Sequence, residues 1–165
     1  NIDDDIKEVI DYDKPIENLD VMINIGFSMC RNGGYNLWGV SPFHNKFFLQ
    51  KTITNTNKYI AGAFFGMIFD ITKEMVFVDI DHGEDLQRSM ECFLRDGGVV
   101  RLNEIALITD YFPESGITAY CGGKEKRKIE MEKNCKYLAQ RYGDMCRLVE
   151  NKWGFTVRLN SFFSL

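Results

Sequence analysis

Six apolar residues, Met131, Cys135, Leu138, Tyr142, Met145 and Val149, are spaced 4, 3, 4, 3 and 4 apart. That spacing keeps side chains on one side of a 3.6-residue helix, so it predicts a single helix over 124–151. Gly143 lies inside the span. An interior glycine costs about 1 kcal/mol relative to alanine, which is less than the stripe gains by burial, so the helix is expected to run through it. A helix with one apolar stripe needs an apolar surface to lie on.

Segments of period two predict that surface. Val21, Ile23, Ile25, Phe27 and Met29 alternate with Asp20, Met22, Asn24, Gly26 and Ser28, the pattern of a half-buried strand. Arg31-Asn32-Gly33-Gly34 reads as a turn, and Tyr35 to Val40 returns, giving a hairpin over 20–41. Phe43 to Ile53 is apolar and aromatic and ends at Thr54-Asn55-Thr56-Asn57. Tyr59 to Ile71, the turn Thr72-Lys73-Glu74 and Met75 to Ile80 predict a second hairpin over 58–80. Val99 to Tyr111 reads as one or two strands, Ile117 to Cys121 as a short strand. Phe155, Val157, Leu159, Ser161 and Phe163 alternate as a C-terminal strand.

Two further helices are expected. Ile2, Ile6, Val9 and Ile10 share a face over 2–12. Leu86, Met90, Phe93 and Leu94 share a face over 84–96, closed by Gly97-Gly98 in the C-capping position. The fold class is therefore α+β: a mainly antiparallel sheet built from hairpins, with an N-terminal helix, a middle helix (84–96) and a long C-terminal helix (124–151) packed on it. With 165 residues and no linker or repeat, 1–165 is expected to form one domain. The 13 Phe, 7 Tyr and 2 Trp supply ample core material.

Charge and cysteine narrow the function classes. Residues 1–20 carry eight acids and two lysines, net −6, which leaves +2 on the other 145 residues of a chain at −4. An acidic head on a near-neutral body argues against direct nucleic-acid binding, which needs a basic face. The cluster Lys124, Lys126, Arg127 and Lys128 reads as a solvated helix face. Five cysteines without a C-x-x-C pair suggest neither a zinc ribbon nor a disulfide framework. Reduced thiols in a cytoplasmic protein are the expectation. No apolar run reaches the ~18–20 residues that span a bilayer, so no membrane partner is expected, and no signal-peptide pattern is present.

The stretch FVDIDHGEDLQ, from Phe77 to Gln87, carries the densest chemistry. Asp79 and Asp81 are expected side by side at a strand end, next to His82. A D-x-D pair beside a histidine suits Mg²⁺ or Mn²⁺ in a hydrolase or phosphotransferase. Asp81-His82-Gly83-Glu84 also matches a capping box, with Asp81 accepting from an early helical N–H. Glu84 and Asp85 would complement the positive helix end. The cap accounts for every charge except Asp79 and needs no metal, so no metal site, catalytic residue or cofactor is assigned. Any Cys–His or Ser–His site must use His44 or His82, the two histidines present. No phosphate-binding glycine loop occurs.

A small acidic α+β domain rich in Phe, Asn and Lys and without a catalytic signature resembles the immunity proteins of bacterial contact-dependent growth inhibition systems. The resemblance is one of overall type over the whole chain. It implies a stoichiometric inhibitor that neutralises a cognate toxin domain, commonly a nuclease, in a 1:1 complex. The acidic groups Asp4, Asp5, Glu8, Asp79, Glu84 and Asp85 are the expected contact residues, because charge opposite a basic nuclease speeds encounter. Strand addition at a sheet edge is a second expected mode. The competing classes are the metal-dependent enzyme at Asp79, Asp81 and His82, and an oligomerising domain that binds a partner through its basic helix.

Overall fold

The computed structural model describes residues 15–108, 117–151 and 154–163, apart from the side chains of Lys46 and Ile117. The helix expected over 2–12, with Asp4, Asp5 and Glu8, lies outside the described residues. The described elements run α1 (Leu19–Gly33), β1 (Leu37–Ser41), β2 (Ile53–Thr54), β3 (Phe65–Met67), α2 (Glu84–Asp96), β4 (Val100–Ala106), α3 (Ile117–Tyr120), α4 (Lys124–Tyr142), β5 (Cys146–Asn151) and β6 (Gly154–Leu159). The class is α+β, and most strand pairs are antiparallel.

The strand expected over 20–29 is a helix. Asn18 Oδ1 accepts from the Val21 N–H at 3.0 Å, capping the first turn. Gly34, at φ 74°, closes the last turn in the left-handed conformation that glycine adopts freely. Arg31 to Gly34 is thus a helix end, and the hairpin over 20–41 does not form. Met22, Gly26 and Cys30, spaced by four, are buried. Val21, Ile25 and Met29 form an adjoining exposed stripe. Ile23 and Phe27, which pack against the core, are offset by two from Val21, Ile25 and Met29, and these two four-spaced helical series together read as alternation.

A four-stranded sheet has the order β2-β4-β1-β3. Its centre is a parallel pair, β1 with β4, in the register Trp38↔Val100. Antiparallel strands flank it, Ile53↔Leu102 on one side and Trp38↔Gly66 on the other. The central strands are covered on both faces, so β1 is buried along its whole length. Trp38, Val40, Val100 and Leu102 pack with Met22 and Cys30 of α1. On the other face Leu37, Ile60 and Val99 pack with Met90 and Phe93 of α2, Cys135 and Leu138 of α4, and Val157 of β6.

The hairpin over 58–80 is not formed. Phe65–Met67 pairs with β1 instead, and 75–80 takes no strand pairing. Val76 and Ile80 turn in against the α2 side of the core. The helix over 84–96 is present with Gly97 at φ 77° as its cap. The segment 117–121, expected as a strand, forms the single helical turn α3 leading into α4. The Gly123 N–H donates to the Thr118 carbonyl at 2.9 Å across that junction.

The C-terminal helix is real but ends at Tyr142. Gly143, at φ 48° and ψ −118°, ends it in a conformation that side chains resist. A short 3₁₀ turn, Gly143–Met145, leads into β5, which pairs with β6 from Cys146↔Leu159 to Asn151↔Gly154. The apolar stripe is therefore divided. Cys135, Leu138 and Tyr142 are buried on the helix and Met145 on the 3₁₀ turn, while Met131 and the strand residue Val149 are half-buried. Gly143→Ala is expected to destabilise the fold by about 1–3 kcal/mol, read as a lower urea midpoint at unchanged slope. A neutral result would mean that the helix can continue through 143.

One buried charge joins both halves. The Asp96 side chain, fully buried at the end of α2, accepts from Lys73 Nζ at 2.9 Å and from Arg95 Nε and Nη2 at 2.9 and 2.8 Å. It also accepts from the Asn36 backbone N–H at 3.0 Å. Lys73 Nζ further donates to the Gly34 carbonyl at 2.6 Å. The clamp thus ties the end of α1, the start of β1 and the 70–73 turn to α2.

Candidate functional site

The turn that sequence singled out is built around Asp79. Gln87, fully buried on α2, holds it from behind: its Nε2 donates to Asp79 Oδ1 at 2.5 Å, and its Oε1 accepts the Asp79 N–H at 3.1 Å. From α4, Tyr137 Oη and Arg141 Nη1 donate to Asp79 Oδ2 at 2.8 and 2.9 Å. Arg141 Nη2 reaches on to Glu91 at 2.8 Å, and Tyr142 Oη donates to the same carboxylate. Hydrogen bonds from Gln87 and Tyr137, with the Arg141 charge, hold the Asp79 carboxyl below its ordinary value. Both of its oxygens already accept protein donors, so Asp79 works as a staple between the turn, α2 and α4.

The capping box is not formed. Gly83, at φ 82°, occupies the cap position of α2, and no side chain caps that end; Asp81 is exposed. The physical reason is Gly83 itself, which takes the left-handed conformation and directs Asp81 away from the first helical N–H groups. Asp85 turns inward instead. It accepts from Tyr59 Oη at 2.6 Å and from the Gly62 N–H at 3.0 Å. Burial, and then the Asp85 charge, raise the Glu84 carboxyl. Arg88, one turn on, lies 4.1 Å over the Phe65 ring, a cation–π contact.

His82 Nε2 lies 3.1 Å from Cys121 Sγ, and the His82 carbonyl accepts from Asn134 Nδ2 at 3.0 Å. His44 is exposed. Among the described residues no group of three or more His, Cys, Asp or Glu side chains is arranged to hold a metal ion, and no helix is long and apolar enough to cross a membrane. In the basic cluster, Lys128 pairs with Glu125 at 3.0 Å and Arg127 Nη1 donates to Thr118 Oγ1 at 2.7 Å.

A feature that sequence reasoning passed over lies at the sheet edge. From Ala63 to Ile71 every odd residue is exposed and every even one partly buried. Phe65, Met67, Phe69 and Ile71 are 37, 39, 76 and 86% exposed. Among the described residues β3 has β1 on one side and no strand on the other. The Ile68 N–H donates inward to the Asn36 carbonyl at 2.8 Å, so by alternation the N–H groups of Met67 and Phe69 face outward. The alternation is visible in FFGMIFDI, but its exposed side depends on which strand β3 joins. Phe77 continues the apolar surface at 70% exposure. Compared with protein families, curated proteins and solved structures, the chain matches none of them.

Proposed function

We propose that this chain is a stoichiometric inhibitor, an immunity protein of the contact-dependent growth inhibition type, that holds a cognate toxin domain in a 1:1 complex in the cytoplasm. The observation that supports this reading is the unpaired β3 edge with its apolar stripe Phe65, Met67, Phe69 and Ile71. An open strand edge offers main-chain hydrogen bonds to an incoming strand, and apolar side chains beside it supply contact area. The exposed acids Glu74 and Asp81 follow the stripe in the chain and add the charge that attracts a basic nuclease, while Asp79 is held as the staple to Arg141. Asp85 serves the fold through Tyr59 and Gly62 and is left out of the contact set. Glu84 stays on its margin, and Asp4, Asp5 and Glu8, outside the described residues, remain proposed contacts by their charge in the sequence.

The test is co-expression and pull-down with a toxin domain encoded beside this gene, followed by binding kinetics. Met67→Pro removes an outward N–H and leaves the β1 ladder intact, so it is expected to speed dissociation by about fivefold or more, since losing one main-chain bond costs about 1 kcal/mol or more. An unchanged melting temperature confirms that the fold survives. Added salt should slow association and change dissociation less. Failure to recover any toxin domain, or a complex indifferent to Met67→Pro, overturns the respective part of the reading.

A further inference from the structure

Four of the five cysteines are buried in the core: Cys30, Cys92, Cys135 and Cys146. Burial raises the Cys30 thiol to about 12 and the Cys92, Cys135 and Cys146 thiols to about 11, which leaves them inert at neutral pH. Cys121 differs in three ways. It is partly exposed. Its sulfur lies 3.1 Å from His82 Nε2, within reach of proton transfer. A cation also lies beside the next residue in the chain: a Cβ built on Gly122 would lie 3.4 Å from Lys126 Nζ. The imidazole stays in place because Asn134 of α4 holds the His82 carbonyl while α3 positions the thiol.

We propose that Cys121 and His82 form a reactive thiol site that exchanges with small anionic disulfides of the glutathione type. His82 Nε2 takes the proton from Sγ. The sulfur attacks the near sulfur of the incoming disulfide, the old S–S bond breaks, and its electron pair leaves on the far sulfur. That thiolate takes the proton back from the imidazolium or from water. The balance is one protein thiol and one disulfide giving one mixed disulfide and one small thiol, and a free thiol reverses it. Lys126, beside Gly122, favours carboxylate-bearing disulfides over cationic ones by direct attraction. The site is independent of the inhibitor reading.

The native protein is treated with oxidised glutathione or with cystamine at low ionic strength, and modified cysteines are mapped by mass spectrometry. Each rate is divided by that of free N-acetylcysteine amide with the same probe. Modification is expected at Cys121 before any other cysteine, with the normalised glutathione rate above the cystamine rate. His82→Gln should slow it by about tenfold or more, and Lys126→Gln should shrink the anion preference without slowing cystamine. Unfolding in urea should then expose the other four. Prior modification of another cysteine overturns the proposal, as does an equal rate for the two charges. So does a His82→Gln rate within twofold of wild type. The wild-type map decides the first two points if a variant fails to fold.

Discussion

Asp96→Ala is expected to lower the free energy of unfolding by about 3–5 kcal/mol, the usual cost of removing one partner of a buried ion pair. The carboxylate is fully buried, and its loss leaves Lys73, Arg95 and the Asn36 N–H without their shared acceptor. Asp96→Asn keeps the shape and one acceptor and should cost less. The effect depends on acid in a defined direction. Burial alone would raise the Asp96 carboxyl, but hydrogen bonds from Arg95 and Lys73 outweigh it and hold the group below its ordinary value. A lowered folded value means stability that is complete above about pH 5 and is lost as the pH falls from about 3.9 through the folded value. Urea titrations across pH 2–7 should therefore show wild type and Asp96→Ala converging in acid. A cost under about 1 kcal/mol at pH 7 would show that water replaces the clamp.

Trp38→Ala is expected to cost a similar amount, about 3–5 kcal/mol. The indole is 1% exposed and meets Phe27 and Phe64 edge-on at 5.6 and 6.0 Å. Two glycines make its space: a Cβ on Gly26 of α1 or on Gly66 of β3 would overlap the ring. Gly26→Ala should therefore destabilise by about 1–3 kcal/mol in the wild type and by much less in a Trp38→Leu background. Urea denaturation of the four proteins closes this cycle. Additive costs would mean that α1 does not rest on the indole through Gly26. Among the described residues Trp38 Nε1 has no hydrogen-bond partner, so Trp38→Phe removes a buried unpaired donor and should be far milder than Trp38→Ala.

What could be read from sequence follows from how local each determinant is. The helix 84–96 was legible because one flank is apolar and Gly97 ends it. The helix at 19–33 was not, because Val21, Ile25 and Met29 are apolar but exposed, so alternation masked the buried series Met22, Gly26 and Cys30. Its capping signals, Asn18 and Gly34, were present and outweighed the period. Gly143 was likewise visible, but its weight depended on a backbone conformation rather than on propensity. Asp79 was identified as special, yet its donors Tyr137 and Arg141 come from a helix about 60 positions away. His82 was named for a Cys–His site, but only the fold selects Cys121 from five thiols.

The parallel pairing of β1 with β4 also orders events in time. Trp38 and Val100 are 62 positions apart, whereas Cys146 and Leu159 are 13 apart. Closing a long loop before any contact rewards it is slow, so the β5–β6 hairpin should assemble on α4 early and the central sheet late. On a ribosome the order is reversed, because β4 is made before α4, β5 and β6. Until β4 has emerged, the buried strand β1 has no neighbour on that side, and Trp38 and Val40 remain open to other chains. The interval between synthesis of residue 41 and residue 106 is thus the period of greatest aggregation risk for the nascent chain.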